Sequence, residues 1–252
     1  MEGYDAQTYG DRFADVYDDW YADVSDVEAC ADHVAGLAAR CGGGPVLELG
    51  VGSGRLALPL VARGLEVHGI DASPAMVERL VAKPGGDQVR VTVGDMAAID
   101  LGPQAPTFAV VLVAFNTFFN LATPEAQAAC LARVAEVLDP QGRFVLEAFV
   151  PRAEPGADAE SSVTPRHISA DEVVLTVSQV DHLRQTLSGQ HVHLTEAGIR
   201  LRPWHLRYLT PAQLDALAEE AGLVLESRAS GWRGEPFDDA SEVHVSTYRR
   251  RL

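Results

Sequence analysis

Cysteine is scarce in this chain, and its three copies, Cys30, Cys41 and Cys130, lie far apart in the sequence. No two have the C-x-x-C spacing of zinc or redox sites, and an odd number cannot form a complete set of disulfides. We therefore expect free thiols, no metal site and a cytoplasmic location, because reducing compartments keep thiols unpaired.

Long apolar runs are also missing from the sequence. No stretch approaches the roughly 18 uninterrupted apolar residues of a membrane-spanning helix, so no membrane partner is expected. The opening residues, MEGYD, are acidic and polar, which is not typical of a secretory signal. With 252 residues, of which 47% are hydrophobic, the chain has enough apolar content for one large α/β core.

Positive charge is scarce as well. Asp and Glu number 36 against 20 Lys and Arg, the formal net charge is −16, and Lys83 is the single lysine. Proteins that bind nucleic acid present basic stripes to the phosphates, whereas the arginines here are scattered, apart from Arg249–Arg251. We expect a small-molecule substrate and no nucleic-acid partner.

The most informative segment is a glycine-rich turn between an apolar run and an apolar helix. Pro45–Leu49 is typical of a buried strand, and Leu56–Ala62 has the length and composition of a packed helix. Glycines stand at alternate positions between them, at Gly50, Gly52 and Gly54. Without a Cβ, such a turn lets the backbone come close to a ligand.

Spacing within the turn indicates which ligand it suits. The dinucleotide fingerprint is G-x-G-x-x-G, whereas the third glycine here comes one residue early and Arg55 takes the place of a glycine. An acidic residue, Glu48, precedes the first glycine, and the helix behind the turn offers free N–H groups. The pattern favours an anionic or carboxylate-bearing cofactor; a tight turn without a ligand is the alternative.

Polar residues also follow the next three predicted strands. Val67–Ile70 ends at Asp71, about twenty residues after Gly50, the distance at which an acidic side chain binds ribose hydroxyls. Val89–Val93 leads into Gly94, Asp95 and Met96, and Phe108–Ala114 leads into Phe115 and Asn116. Ligands of open α/β sheets bind beyond the carboxyl ends of the strands, so we expect these residues to share one site.

A helix is predicted between the second and third strands, from Pro74 to Ala82. Ser73 suits its N-cap position, and proline is favoured in the first helical turn. Met76 within this helix is placed to lie against a flat base, although methionine at a helical position is also an ordinary core residue.

These motifs resemble those of the class I S-adenosylmethionine-dependent methyltransferases, whose first strand ends in E/D-x-G-x-G-x-G. The Leu-x-Pro-x-Gly turn at residues 138–142 is another feature of that family. The resemblance implies an α/β, Rossmann-like fold. It would have a seven-stranded, mostly parallel sheet with helices on both faces, an N-terminal helical lid and a small antiparallel β insertion.

The resemblance also implies S-adenosyl-L-methionine as the cofactor. Asp71 would hold the ribose, Asp95 the adenine amino group, and Met96 would pack near the base. Ala114 and Phe115 would line the methionine portion. The cofactor residues expected in all are Tyr9, Tyr17, Glu48, Gly50, Gly52, Gly54, Arg55, Asp71, Ala72, Met76, Asp95, Met96, Ala114 and Phe115.

The first forty residues are helical in character and rich in aromatic side chains. Tyr9, Phe13, Tyr17 and Trp20 recur at steps of three or four residues, so they could share one helix face. Packing on the sheet is one interpretation and a lid over the cofactor is the other. Residues 9–18 also resemble the Y-D-x-x-A-x-x-Y-D leader of some small-molecule methyltransferases, with Gly10 replacing the first aspartate. That likeness implies tyrosine contacts to the cofactor or the substrate pocket.

Four parts of the chain are predicted: a helical lid over 1–41, a cofactor-binding core over 42–150, an insertion over 151–207, and a C-terminal part over 208–252. In the core, a helix capped by Thr123 runs to Leu138, a turn follows, and Arg143–Phe149 forms the fifth strand. In the last part, Thr210 caps a helix that ends before Gly222. Two strands, 223–229 and 243–248, then complete the sheet.

The insertion changes in character along its length. Pro151–Pro165 is rich in Pro, Gly, Ser and acidic residues, which predicts an exposed loop. Alternating patterns then predict antiparallel strands within 166–207. We expect the insertion to serve as a substrate lobe, as a homodimer contact, or as both. The loop 231–237 between the last two strands has no assigned role beyond packing.

Methyl transfer to a hydroxyl or an ammonium requires a base, and His205 is the preferred candidate. Asn116 and Phe119, just after the fourth strand, are expected to contact the substrate, as are Trp20 and Trp204. His191 and His193 lie on one side of a strand, but no third ligand is related to them by a motif, so no metal is expected.

The sequence thus predicts a methyltransferase that acts on an oxygen or nitrogen of a small molecule, such as a metabolite or natural product. Two alternatives stay open. One is a homologue that binds the cofactor without transferring its methyl group and acts as a cyclase or a binding protein. The other is a methyltransferase of a nucleic acid or a protein, which the acidic composition disfavours.

Overall fold

Two β-sheets organise the part of the chain that the computed structural model describes, residues 1–22, 24–152 and 158–251. The helices are α1 Thr8–Phe13, α2 Tyr17–Trp20, α3 Val27–Arg40, α4 Ala57–Ala62, α5 Pro74–Val81, α6 Pro124–Val137 and α7 Pro211–Glu220. The strands are β1 Val46–Leu49, β2 Val67–Asp71, β3 Val89–Val93, β4 Phe108–Val113, β5 Leu138–Phe149, β6 Ala159–Ile168, β7 Glu172–Asp181, β8 Thr186–Thr195, β9 Gly198–Arg207, β10 Leu223–Ala229 and β11 Val243–Arg250.

The larger sheet has the strand order β10-β11-β5-β4-β1-β2-β3 over the described residues. Strands β1 to β5 pair in parallel, whereas β11 runs antiparallel to both β5 and β10. The order reverses between β1 and β4, and ligands bind at such a switch point in doubly wound sheets. The predicted Rossmann-like fold with its seven-stranded, mostly parallel sheet is confirmed.

Helices cover both faces of this sheet. On one face, side chains of α6 and α7 pack with β4 and β5 in a cluster that includes Leu131, Val134 and Leu214. On the other, α3, α4 and α5 pack around Val34, Leu60 and Leu80. The central strand β4 is buried along its whole length, as expected of a parallel strand covered on both sides.

Side-chain caps begin the helices where the sequence predicts them. Ser73 accepts a hydrogen bond from the Met76 N–H at the start of α5, and Thr123 accepts one from Ala126 at the start of α6. Thr210 forms a full capping box with Gln213 at the start of α7. Each cap also has proline in the first turn, where a missing N–H costs nothing.

The second sheet is an antiparallel meander, β6-β7-β8-β9. Its last three strands agree with the predicted insertion, but the predicted loop over 151–165 is wrong from Ala159 onward, because that stretch belongs to β6. Residues 153–157 of the predicted loop lie outside the described residues. Every residue of β6 is exposed, since it is an edge strand without a core-facing side, and it therefore lacks the apolar pattern of a strand.

The predicted turn at 139–142 is also wrong. Helix α6 ends at Val137, and β5 begins at once with Leu138. The β4–β5 register shifts between Phe108 and Val110, so the Asp-Pro-Gln-Gly segment is absorbed as an irregular start of the strand. None of the helices over the described residues combines the length and apolar character that crossing a bilayer requires.

Candidate active site

A cavity of about 250 Å³ lies beyond the carboxyl ends of β1, β2 and β3. Its wall combines the glycine turn after β1, the acidic ends of β2 and β3, and the leader, by which we mean residues 4–21. The predicted cofactor residues that line it are Tyr9, Tyr17, Gly50, Gly52, Asp71, Ala72, Met76, Asp95 and Met96. The structure therefore brings together predicted residues from four separate parts of the sequence.

The glycine turn needs glycine for two different reasons. Gly50 has a φ of +70°, and a Cβ there would lie 2.3 Å from Thr117 Cγ2. Gly54 has a φ of +84°, and a Cβ there would lie 2.6 Å from Leu80 Cδ1. Gly54 does not line the cavity, so its requirement comes from backbone conformation and packing of the turn against α5.

The Asp71 carboxylate joins this turn to the end of β2. The Gly52 N–H donates to Asp71 Oδ2 at 2.8 Å, and the Ser73 N–H donates to Oδ1 at 2.8 Å. Burial raises the pKa of Asp71, although these two hydrogen bonds favour its charged form. Each oxygen keeps a lone pair for a further donor within the cavity.

The far end of the cavity is less polar. Met76 from α5 is 2% exposed, and Met96 follows β3 on the opposite side. Asp95 accepts a hydrogen bond from the Ala97 N–H at 2.8 Å, which fixes its carboxylate at the rim. Two thioether side chains and one carboxylate form a slot suited to a flat ring with an amino group.

The leader closes the cavity from the N-terminal side. Tyr9 and Tyr17 line it, and burial raises the pKa of both phenols. Asp11 accepts a hydrogen bond from Ser73 Oγ at 2.5 Å, so the leader is joined to the cap of α5. Asp18 lies 2.7 Å from Lys83 Nζ.

A smaller cavity adjoins the first at the β1–β4 edge and contains the predicted Glu48, Arg55, Ala114 and Phe115. Glu48 is 5% exposed, and burial raises its pKa to about 8. Glu48 Oε2 and Arg55 Nε are both buried, and neither has a hydrogen-bond partner among the described residues. The Arg55 guanidinium lies 5.2 Å from the Phe115 ring centroid and donates to Ser25 Oγ.

Comparison with known proteins decides the family. Residues 46–142 match the family model described as "Methyltransferase domain". The solved structure of the CcbJ methyltransferase from Streptomyces caelestis is 41% identical to this chain, covers 99% of it and 100% of its own chain, and superposes with a TM-score of 0.89. The chain belongs to the class I S-adenosylmethionine-dependent methyltransferases.

Other relatives of this methyltransferase are more distant. The cypemycin N-terminal methyltransferase of a Streptomyces species is 28% identical over 213 residues, 83% of this chain and 84% of its own. The S-adenosylmethionine-bound structure of an amino pentose methyltransferase from Micromonospora echinaspora is 26% identical, with a TM-score of 0.66, covering 92% of this chain and 96% of its own. The predicted cofactor, S-adenosyl-L-methionine, is confirmed.

The residues of the methyltransferase fit this cofactor. Glu48 Oε2 and Arg55 Nε are buried atoms without a hydrogen-bond partner among the described residues, and a carboxylate and a guanidinium suit the ammonium and carboxylate of a methionine end. Asp71 offers acceptor lone pairs for hydroxyl groups, and the slot between Met76 and Met96 suits a flat base.

The four predicted substrate residues do not come together. Phe119 is 0% exposed and packs on Phe149 in the core, so it presents no surface to a substrate in this structure. Asn116 is held by the backbone, accepting from the Phe149 N–H at 2.7 Å, and lines a separate cavity beyond β5. Trp20 and Trp204 belong to an aromatic cluster between the leader and the second sheet.

The histidine candidates of the methyltransferase lie outside the first cavity. His205 hydrogen-bonds to Ser188 Oγ at 2.7 Å and packs edge-on against Tyr4, which itself lines the cavity. Burial lowers the pKa of His205. His191 packs on Trp20, and burial lowers its pKa to about 4. No group of three metal-ligating side chains occurs within residues 1–22, 24–152 and 158–251.

Two sets of contacts at this site have no signal in the sequence analysis. Arg202 of β9 is 1% exposed and donates to Asp15 Oδ1 at 2.5 Å and to the Arg12 carbonyl, so the second sheet holds the leader. Glu147 of β5 accepts from Trp232 Nε1 at 2.8 Å. These partners lie 85 or more residues apart in the chain. Sequence patterns indicate the helix or strand that each segment forms, but they do not show which distant side chains meet.

Proposed function

We propose that this methyltransferase transfers the methyl group of S-adenosyl-L-methionine to a nitrogen atom of a small-molecule amine. The observation that carries the proposal is the roof of the cavity. Tyr9 and Tyr17 of the leader form part of its wall, and the leader is itself fixed to α5 and to β9, so the leader limits the space left for an acceptor. Such a site suits a small acceptor better than a macromolecule.

The descriptions of several related proteins favour nitrogen over oxygen as the acceptor atom. The relative from a Streptomyces species is an N-terminal methyltransferase, and two structural neighbours are described as an amino pentose methyltransferase and a sugar N-methyltransferase. The net charge of −16 agrees with a cationic acceptor, because a negative surface field raises the local concentration of cations.

The cofactor supplies a methyl group activated by a positively charged sulfur. The protein binds and orients the cofactor and the acceptor and excludes water. In this proposal Asp71 binds the ribose hydroxyls, Asp95 the adenine amino group, and Met76 and Met96 enclose the base. Arg55 and Tyr17 bind the carboxylate of the methionine end, and Glu48 its ammonium. Gly50, Gly52, Ala72, Ala114 and Phe115 complete the backbone and apolar wall, and Tyr9 closes it from above.

The organisation of the chain follows the same proposal. Residues 1–41 act as the lid, 42–150 bind the cofactor, and 208–252 complete the sheet. The second sheet, within 151–207, positions the lid through β9. In this proposal the second sheet therefore lies beside the acceptor. His205 keeps a structural role under Tyr4 in this account.

A paired substrate panel tests the proposal. Purified protein is incubated with the cofactor carrying a labelled methyl group and with small amines, each matched by the corresponding alcohol. We expect a mass gain of one methyl on amines and none on their alcohols. Labelling of alcohols alone would contradict a nitrogen acceptor. Absence of transfer to any small acceptor, with intact cofactor binding, would favour the binding or cyclase alternative.

A further inference from the structure

A second cavity, of about 290 Å³, lies beyond the carboxyl end of β5, one strand further from the base-binding end than the Glu48–Arg55 cavity. Four elements form its wall: the start of α3, the turn after β4, the end of β5, and the loop between β10 and β11. That loop is the 231–237 segment for which the sequence analysis offers no role. The residues on which the argument rests are Asp26, Phe115, Glu147, Trp232 and Arg233.

Glu147 is the chemically unusual member of this wall. Its Oε2 accepts from the Phe115 N–H and its Oε1 from Trp232 Nε1, both at 2.8 Å, so the carboxylate is fixed. It forms no ion pair with any residue that the structure describes, although buried charges in proteins are normally paired. Burial raises the pKa of Glu147, although its two hydrogen bonds and the charge of Arg55 favour the ionised form.

Phe115 separates this cavity from the cofactor site. It lines both the second cavity and the small cavity of Glu48 and Arg55. Phe115 and Asn116 have φ values of +51° and +64°, a left-handed conformation that is strained for a bulky side chain and recurs at ligand sites. Glu147 holds this turn through the Phe115 N–H and, with its carbonyl, through the Asn116 N–H.

An exposed ion pair forms part of the wall of the cavity. Arg233 Nη2 lies 2.5 Å from Asp26 Oδ2, and the two side chains are 67% and 45% exposed. Exposed pairs of this kind contribute little to stability, so the pair can open readily. Because Arg233 pairs with Asp26, it does not form an ion pair with Glu147.

We propose that the second cavity binds the ammonium group of the acceptor, held by the Glu147 carboxylate between the rings of Phe115 and Trp232. The inference rests on the proposed function, in which the acceptor is a small amine. An ammonium ion supplies the positive charge that Glu147 lacks, and aromatic faces add to its attraction. Because Phe115 borders both cavities, an acceptor bound here lies next to the methionine end of the cofactor site.

Fluorine NMR on protein labelled with 5-fluorotryptophan tests this inference without a known acceptor. The chain has three tryptophans, and the signal of Trp232 is assigned from the Trp232→Phe variant. Cyclohexylamine and cyclohexanol, which match in shape, are titrated in the presence of S-adenosylhomocysteine. We expect cyclohexylamine to shift the Trp232 signal in a saturable way and cyclohexanol to bind at least tenfold more weakly. Equal affinities, or shifts confined to Trp20 and Trp204, would overturn the inference.

Glu147→Gln provides the second arm of the test. We expect the affinity for cyclohexylamine to fall at least tenfold, while Glu242→Gln, the same charge change on an exposed side chain nearby, changes it less than threefold. Affinity for S-adenosylhomocysteine, measured on each variant, reports an intact cofactor site. An unchanged cyclohexylamine affinity in Glu147→Gln would refute the role of Glu147.

Failure of this inference can be told from failure of the proposed function. Methylation of amines with the same KM for the acceptor in Glu147→Gln would reject the second cavity and leave the nitrogen acceptor intact. Exclusive methylation of alcohols would reject the nitrogen acceptor, and the ammonium site is then judged by the cyclohexylamine titration alone.

Discussion

At the residue scale, two carboxylates, Asp71 and Glu48, have different roles in the candidate cofactor site. Asp71 fixes the glycine turn through the Gly52 N–H and still faces the cavity, whereas Glu48 is buried with one oxygen unpartnered. The first arrangement sets the shape of the site before any ligand arrives, and the second leaves a charge-bearing group for the ligand to satisfy. Both acidic positions follow from the sequence, but the different roles follow only from the hydrogen bonds.

Replacement of Asp71 tests the first of these roles. We expect Asp71→Ala to weaken binding of S-adenosylhomocysteine by about 1–3 kcal/mol, the cost of leaving buried donors unpaired, or roughly tenfold to a hundredfold in Kd. Calorimetry measures this, with Asp87→Ala, at an exposed aspartate that follows α5 and does not line the cavity, as the control. Equal affinity in the two variants would show that Asp71 does not contact the cofactor.

Gly50 gives a sharper residue-scale prediction, because the steric clash and the backbone strain of a substitution can be measured separately. We expect Gly50→Ala to lose cofactor binding and to lower the Tm, since a Cβ would lie 2.3 Å from Thr117 Cγ2 and φ is +70°. Gly64→Ala has a similar φ of +80° with nothing within 4 Å of the added Cβ, so it reports the backbone strain alone, roughly 1–2 kcal/mol.

Thr117→Ser removes the clashing methyl group and completes that test. In the Gly50→Ala background it should recover part of the lost stability, leaving the loss that Gly64→Ala shows. Thermal unfolding of the unaltered protein, Gly50→Ala, Gly64→Ala and the Gly50→Ala, Thr117→Ser double variant measures this. A Gly50→Ala variant as stable as Gly64→Ala would contradict the steric account.

The leader acts as a unit at the element scale, because three of its aspartates are bound at the two ends of α5 and at β9. Asp11 is bound by Ser73 at the start of α5, Asp18 by Lys83 just after α5, and Asp15 by Arg202 of β9. The spacing of these aspartates is visible in the sequence, but their partners are not. The single lysine of the chain thus has a definite structural role.

Acid should detach the leader from β9. The hydrogen bond from Arg202 holds the pKa of Asp15 below its usual 3.8. A lowered pKa means that the pair stabilises the attachment fully above pH 4 and that this contribution is lost as pH falls through the lowered value. We expect faster hydrogen exchange in residues 8–20 at pH 3 than at pH 7, after correction for the intrinsic rates.

The variant Asp15→Asn should reproduce this loosening at pH 7 and raise the KM for the acceptor more than it lowers kcat. Asp19→Asn, at an exposed aspartate of the same leader that has no ion pair among the described residues, is the matched control. Exchange in Asp15→Asn that equals the control at pH 7 would exclude Asp15 as the attachment point.

Element prediction succeeded where a segment has a buried side and failed where it has none. Strands β1 to β4 are short apolar runs, the first three of which end at glycine or aspartate, so their bounds were predicted to within a residue or two. The exposed edge strand β6 has no such pattern, and Asp139-Pro140-Gln141-Gly142 has turn composition although it belongs to β5. In both cases pairing with a neighbouring strand decides the structure, and pairing is not encoded locally.

The parallel half of the sheet, with its switch point, could be predicted at the scale of the whole molecule because each βα unit carries its own signals. The second cavity could not, since it is formed by the start of α3, the ends of β4 and β5 and a loop more than eighty residues further on. The strongly acidic composition bears on solubility and association and contributes nothing to the fold.

The central claim is that the glycine turn and the acidic end of β2 bind opposite parts of one adenosyl ligand. Calorimetric titration of ligand-stripped protein with S-adenosylhomocysteine tests it most directly. The account predicts saturable binding of one molecule per chain, weakened by Asp71→Ala and unaffected by Asp87→Ala. A folded protein that takes up neither S-adenosylhomocysteine nor S-adenosyl-L-methionine would contradict it.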